Sequence, residues 1–183
     1  MGRYSDKVRD YTISVFSENK TGLLSRIVGV FTRRKINIDS LNTSESSMPG
    51  IYRFTIVVHV SKGKVEHLVK QLEKQVDVMK AFYYLQDEIV YQEIALYKVP
   101  TPMIMNGQKI EQLIRRHNAR ILDIEPEYTV IEKTGHQKET QALLRDLEKY
   151  EVYEFVRSGR VAITRPMEQL NKYLESLERQ ISN

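Results

Sequence analysis

The apolar residues of this chain switch from strand-like to helix-like spacing in the same order in both halves, and this repeat is the strongest constraint on the fold. Apolar residues alternate with polar ones from Tyr11 to Val15, which predicts a strand with one buried face. An apolar stripe at helical spacing follows from Leu24 to Phe31. The first elements are therefore a strand and an amphipathic helix joined by a short turn.

The same reasoning extends along the whole chain. The first half predicts a strand at 9–16, a helix at 22–34, strands at 36–43 and 51–60, a helix at 63–75 and a strand at 78–85. The second half predicts a strand at 92–99, a helix at 107–118, strands at 119–125 and 127–133, a helix at 137–149 and strands at 151–157 and 160–164. The order βαββαβ is the ferredoxin-like unit. The sequence thus predicts an α+β fold with two ferredoxin-like βαββαβ domains in tandem.

The domain boundary is predicted near Gln86-Asp87-Glu88, giving domains at 1–86 and 87–183. A C-terminal tail helix is predicted after Pro166. Its apolar face consists of Met167, Leu170, Tyr173, Leu174, Leu177 and Ile181. That stripe must be buried, either on its own domain or on a partner chain, and the sequence leaves both open.

Composition excludes several classes of protein. The 183 residues contain no cysteine, which excludes disulfides, thiolate metal sites and cysteine nucleophiles. The net charge of +4 comes from interspersed basic and acidic residues, a pattern that favours a solvated surface over a nucleic-acid interface. No apolar run approaches the length of a membrane span, and the first residues lack a signal-peptide core. We therefore expect a cytoplasmic protein with no membrane or nucleic-acid partner.

Catalytic and metal-binding patterns are missing from the sequence. The four histidines, His59, His67, His117 and His136, do not pair at ligand spacing, and no carboxylate cluster accompanies them. Neither a phosphate-binding loop nor a nucleophile elbow occurs. The sequence predicts a chain without catalytic residues, without a metal site and without a cofactor of its own.

The turn from Asn19 to Gly22 is the candidate binding site. It leads from the first strand into the N-terminus of a helix, where unpaired backbone N–H groups and the helix dipole favour negative charge. Gly22 carries no side chain that would keep a ligand from this backbone. A ligand carboxylate fits such a place without any catalytic group.

Two motifs carry a family resemblance. Asn-x-x-Gly-x-Leu-Ser-Arg begins at Asn19, and Phe-x-x-Arg-x-x-Asn-Ile-x-Ser-Leu begins at Phe31. Together they resemble the N-terminal ACT domain of the acetolactate (acetohydroxyacid) synthase small subunit family. The second half resembles that family's C-terminal domain, including Arg157-Ser158-Gly159, and Asp77-Val78-Met79-Lys80 fits as well. The resemblance covers residues 9–165.

The resemblance implies a function and a partner. It implies a non-catalytic regulatory subunit that binds and activates a large catalytic subunit in valine, leucine and isoleucine biosynthesis. Thiamine diphosphate, Mg and FAD are then expected on the catalytic subunit, not on this chain. It also implies feedback inhibition by branched-chain amino acids, chiefly valine.

The resemblance also places the effector. ACT domains of this family pair side by side into a homodimer, and the effector binds at their interface. The matching positions here are Asn19, Gly22, Leu23, Asn37 and Ile38. Two residues depart from the family pattern, since Lys35 replaces a glycine and Ile36 replaces an aromatic residue.

Two other functions stay open on the sequence. A stand-alone ACT amino-acid sensor would keep the same site and change the partner. An RNA-binding protein would use the same βαββαβ order with exposed aromatics on its central strands, and Gly50 to Phe54 superficially resembles such a strand. The required spacing of basic, glycine and aromatic residues is not met there, and alternation from Tyr52 to Val58 favours a core strand instead.

Overall fold

The computed structural model describes residues 7–105, 108–165, 173, 175, 176 and 179, and they form two compact units. The second unit runs from Tyr91 to Val161, and the described residues from Ala162 onward group with the first unit. The sequence placed the boundary after residue 86 and assigned the tail to the second domain. The described tail residues group with the first unit instead, because Tyr173 packs against Phe82, with ring centroids 5.8 Å apart.

The first unit is a four-stranded antiparallel sheet with two helices. Its elements are β1 (Arg9–Glu18), α1 (Leu23–Arg33), β2 (Ser40–Glu45), β3 (Ile51–Val60), α2 (Lys62–Leu72) and β4 (Val78–Tyr84). The strand order is β2-β3-β1-β4, so β1 is central. Among the described strands, β2 and β4 are therefore the edges of this sheet.

Both helices bury their apolar stripes on one face of this sheet. Alternate β1 residues from Tyr11 to Val15 point into the same core. The helices contribute Leu23, Ile27, Val30 and Phe31 from α1 and Val65, Leu68, Val69 and Leu72 from α2. Each such side chain stabilises the fold by about 1.5–3 kcal/mol when fully buried. The predicted strand–helix alternation is thus explained by one shared core.

The start of β2 is the main local difference from the sequence prediction, which placed a strand at 36–43. The N–H group of Ile36 donates to the carbonyl of Phe31 at 3.1 Å, so this residue still belongs to the end of α1. Pairing with β3 begins only where the N–H of Asp39 donates to the carbonyl of Val57 at 2.9 Å. Residues 36–39 connect the end of α1 to the sheet, so β2 runs from Ser40 to Glu45 rather than from 36 to 43.

The second unit repeats the topology. Its elements are β5 (Ile89–Pro100), α3 (Thr101–Met105), α4 (Gln108–Arg116), β6 (Arg120–Ile124), β7 (Tyr128–Gly135), α5 (Gln137–Leu147) and β8 (Glu154–Arg157). A last strand, β9 (Val161–Thr164), consists mostly of residues that group with the first unit. The order β6-β7-β5-β8 matches that of the first sheet, and β9 also pairs with β5. The prediction of two ferredoxin-like units is confirmed.

The second core is centred on β5. Tyr97 is fully buried there, and its hydroxyl donates to the carbonyl of Thr140 at 2.6 Å. Burial raises the pKa of Tyr97 above its usual range. β5 ends at Pro100, one residue beyond the predicted end at residue 99, and a proline cannot donate to the ladder. The short helix α3, which the sequence did not predict, follows at once with Pro102 in its first turn.

Most of the predicted tail helix lies outside the described residues, including Met167, Leu170, Leu174, Leu177 and Ile181. The four described tail residues, Tyr173, Glu175, Ser176 and Arg179, are helical. Tyr173 packs against a small cluster formed by Phe16, Met48 and Ile51, with Met79 and Phe82 around it. This contact is on the sheet face away from α1 and α2.

Candidate functional site

The turn between β1 and α1 has the backbone that its glycine requires. Gly22 is the N-cap of α1 and has φ +82°, in the left-handed region that residues with a Cβ seldom adopt. A Cβ built there would lie 3.7 Å from Nη1 of Arg26, so space does not exclude a side chain but backbone strain disfavours one. Glycine at this position is explained by conformation.

The N-terminus of α1, which lies within the described residues, carries no side-chain cap and no negative charge in its first turn. The N-cap residue, Gly22, has no side chain that could cap the helix, and the first turn of α1 contains no acidic residue. The N–H of Leu23 donates back to the carbonyl of Lys20 at 3.1 Å, which closes the turn. The remaining N–H groups and the dipole favour an anion here.

A group of charged side chains, which was not predicted from the sequence, surrounds the turn. Asp77, in the loop before β4, forms ion pairs with Arg26 and with Lys20, whose Nζ is 3.3 Å from Oδ1. Lys20 also lies 2.6 Å from Glu18. Hydrogen bonds to Glu18 and then Asp77 raise the pKa of Lys20. The only sequence signal was the family-like stretch beginning at Asp77.

The predicted site residues near the turn differ in exposure. Asn19 is exposed, and its N–H donates to the carbonyl of Gly50 at 3.3 Å. Leu23 is only 3% exposed and belongs to the core with Ile27, so its side chain does not face solvent in the single chain. Leu24, which is not among the predicted site residues, has 46% of its surface exposed beside the turn.

Asn37 and Ile38 lie at the other end of the same sheet. Asn19 is next to the start of β3, whereas the segment holding Asn37 reaches the sheet at Val57. Val57 lies six residues beyond Ile51 along β3, which corresponds to about 20 Å of strand. A single chain therefore does not bring the five predicted residues together.

Asn37 lines a cavity of its own. The cavity holds about 370 Å³ and is bordered by Lys35, Ile36, His59 and Ser61, among others. Asn37 is exposed, while the half-buried Ile38 packs against the core of the first unit. The segment thus presents one amide to solvent and anchors itself with one apolar side chain.

Lys35, which replaces a glycine of the family pattern, has a backbone conformation that favours glycine. Lys35 has φ +54°, a left-handed conformation at the end of α1, where helices commonly carry glycine. Its N–H donates to the carbonyl of Thr32 at 3.0 Å. The backbone therefore has at Lys35 the left-handed conformation that a glycine adopts without strain.

Three of the four histidines have identified structural partners. His59 lies 2.6 Å from Asp10, and His117 lies 3.0 Å from Asp146. The ring of His136 packs edge-on against Tyr91. Within the described ranges, no three His, Cys, Asp or Glu side chains are grouped to hold a metal ion. None of the helices among the described residues is long and apolar enough to cross a membrane.

Comparison with known proteins identifies the family. A family model described as the small subunit of acetolactate synthase matches residues 92–166, and one described as an AHAS small subunit-like ACT domain matches residues 13–80. The acetolactate synthase small subunit of Mycolicibacterium smegmatis is 37% identical over 155 residues, covering 85% of this chain and 91% of that protein. The chain belongs to the acetolactate synthase small subunit family.

Other members agree. The Bacillus subtilis acetolactate synthase small subunit is 36% identical over 152 residues, covering 82% of this chain and 88% of that protein. The crystal structure of the Thermotoga maritima small subunit superimposes with a TM-score of 0.79 at 32% identity, covering 87% of this chain and 99% of that one. The family predicted from the two motifs is confirmed, and the fold is that of acetolactate synthase small subunits.

Proposed function

We propose that this chain is a regulatory subunit that activates the catalytic subunit of acetolactate synthase and transmits feedback inhibition by valine. The valine site would form between the ACT domains of two copies. Thiamine diphosphate, Mg and FAD would belong to the catalytic subunit, and the complex would work in the cytoplasm in branched-chain amino-acid biosynthesis.

The observation that carries this proposal is the placement of the predicted site residues at opposite ends of one sheet whose edge strand is β2. Antiparallel pairing of two β2 strands about a two-fold axis places the Glu45 end of one copy beside the Ser40 end of the other. The Gly22 turn of one copy and Asn37 of its partner then lie at the same end of a continuous sheet. Dimerisation would therefore form two equivalent sites, each with the Gly22 turn of one copy and Asn37 of the other.

The chemistry of the two parts fits a branched-chain amino acid. The N-terminus of α1 at Gly22 suits the carboxylate. The amides of Asn19 and Asn37 supply hydrogen-bond donors and acceptors for the polar end of the ligand. The exposed side chain of Leu24 and the half-buried Ile38 provide apolar surface for an isopropyl group.

Inhibition would then be a shift between two arrangements of the dimer. Valine would bind one arrangement more tightly, and that arrangement would activate the catalytic subunit less. If valine also weakens binding of the catalytic subunit, then by linkage the catalytic subunit weakens binding of valine by the same factor. A role in the complex is also supported by the second half of the chain, because residues 92–166 match a family model described as the small subunit of acetolactate synthase.

The test is titration calorimetry of the purified chain with valine, together with an activation assay using the catalytic subunit. We expect valine binding by the wild type, weaker binding by Gly22→Asp and Asn37→Ala, and activation retained by both variants. A wild type that binds no branched-chain amino acid contradicts the site. A chain that binds valine but neither binds nor activates the catalytic subunit supports the stand-alone sensor instead.

The RNA-binding alternative finds little support in the first unit. Phe54, Ile56 and Val58 of β3 are buried under the helices, and Tyr52 packs against the same core. These are the residues that would have to stack on bases. Strongly salt-dependent RNA binding would nevertheless favour this alternative.

A further inference from the structure

Asp77 is the centre of the charged group beside the Gly22 turn. Its side chain is only 10% exposed, yet it pairs with two cations, Arg26 and Lys20. Its carbonyl also accepts the N–H of Glu18 at 3.3 Å. Asp77 is therefore fixed by a backbone hydrogen bond and by side-chain ion pairs, and these ion pairs also position the two cations.

The cations lie where a ligand carboxylate would bind. Nη1 of Arg26 is 3.7 Å from the position of a Cβ on Gly22, so the guanidinium lies over the turn. Lys20 belongs to the turn itself and closes it through the hydrogen bond from Leu23. Two positive groups next to an open helix N-terminus would attract any carboxylate, whether or not it carried an amino group.

The charge of the group is balanced. Glu18 and Asp77 contribute two negative charges, and Lys20 and Arg26 contribute two positive charges, so the net charge is zero. A site of zero net charge does not favour an anion over a zwitterion through its overall field. The nearly buried Asp77 is screened least by water, and its charge weighs most in this balance.

We propose that Asp77 makes the turn selective for zwitterionic α-amino acids over carboxylic acids that lack the amino group. This inference rests on the proposed valine site. Without the charge of Asp77, the group carries +1. A simple carboxylate then gains attraction, whereas a zwitterion gains at its carboxylate and loses at its ammonium. Discrimination falls even if the turn keeps its shape.

The test measures two ligands with the same carbon skeleton, valine and 3-methylbutanoate, by calorimetry at low salt. The quantity of interest is the dissociation constant of 3-methylbutanoate divided by that of valine, because a loosened turn weakens both ligands alike and leaves this ratio unchanged. For Asp77→Asn we expect the preference for valine to fall on the order of tenfold, the effect of one unit charge at several ångströms in a partly solvated site. The shift should shrink as salt is added.

Matched variants separate charge from structure. Asp77→Glu keeps the charge and should keep the preference for valine. Asp87→Asn removes the same charge from an exposed position at 86–88 and should leave the ratio unchanged. Arg26→Gln makes the group negative and should increase the preference, which gives a test in the opposite direction should Asp77→Asn fail to fold. The double variant Asp77→Asn with Arg26→Gln restores zero net charge and should restore discrimination.

Each outcome decides a different claim. A lower ratio in Asp77→Asn alone supports the proposal. An unchanged ratio with both ligands weakened makes Asp77 a purely structural residue and overturns the proposal while leaving the valine site intact. Equal affinity of the wild type for both ligands also overturns it. A wild type that binds neither ligand contradicts the proposed site itself.

Discussion

Replacing Gly22 by alanine tests the local geometry of the turn and its role in binding separately. At φ +82° a residue with a Cβ pays about 1–2 kcal/mol, and the Cβ would meet no atom closer than 3.7 Å. The smaller conformational freedom of alanine in the unfolded chain offsets part of this cost. We therefore expect Gly22→Ala to lower the free energy of unfolding by about 1 kcal/mol.

Two other glycines supply the controls. Gly50 has φ +77° and its added Cβ would meet no described atom within 4 Å, so Gly50→Ala should cost about the same. Gly63 lies in the first turn of α2 without a positive φ and with equally open space, so Gly63→Ala should be neutral or slightly stabilising.

The assay combines urea unfolding with valine titration of all three variants. Gly22→Ala and Gly50→Ala should lose similar stability, and Gly22→Ala should show the larger loss of valine affinity. Gly22→Ala as stable as Gly63→Ala would refute the strain argument. Equal losses of valine affinity in Gly22→Ala and Gly50→Ala would show that binding follows stability rather than the turn.

Three further predictions concern other parts of the chain. Lys35→Gly should raise the free energy of unfolding by about 0.5–1 kcal/mol in urea denaturation, because glycine adopts φ +54° without strain. Tyr97→Phe should lower it by about 1–2 kcal/mol, because a buried carbonyl loses its donor. Hydrogen bonds from Lys149 and then His117 lower the pKa of Asp146 from 3.8 to about 2, so its contribution to stability is present above pH 4 and is lost as the pH falls towards 2. Asp146→Asn should accordingly be less stable than the wild type at neutral pH, and the difference should vanish near pH 2 in unfolding curves measured across that range.

The fold could be predicted because its signals are local and repeated. The alternation in β1 and the stripe in α1 both report one buried face, and the structure buries those faces on each other, although the stripe begins at Leu23 and the predicted first member, Leu24, is exposed. The start of β2 could not be predicted in the same way. Ile36 and Ile38 alternate like strand residues, but the hydrogen bond from the N–H of Ile36 to Phe31 keeps that segment at the end of the helix.

Only part of the candidate site was predicted from the sequence. Gly22 was chosen from the sequence because it has no side chain at a helix start, and its left-handed backbone became known only from the structure. The ion pairs of Asp77 could not, because they join residues far apart in sequence, such as Arg26. The apolar character of Leu23 suggested a pocket wall, whereas helical phase turns this side chain into the core and leaves Leu24 exposed.

Mixing two defective chains tests the central claim, a valine site shared between two copies, most directly. Gly22→Asp and Asn37→Ala, each weak in valine binding alone, would be unfolded together, refolded and titrated with valine by calorimetry. In a mixed dimer one site carries both substitutions and the other carries neither, so the account predicts that high-affinity binding returns, to about one site in each mixed dimer. If the site lies within one chain, every site keeps a substitution, and the absence of any recovery in verified mixed dimers would contradict the account.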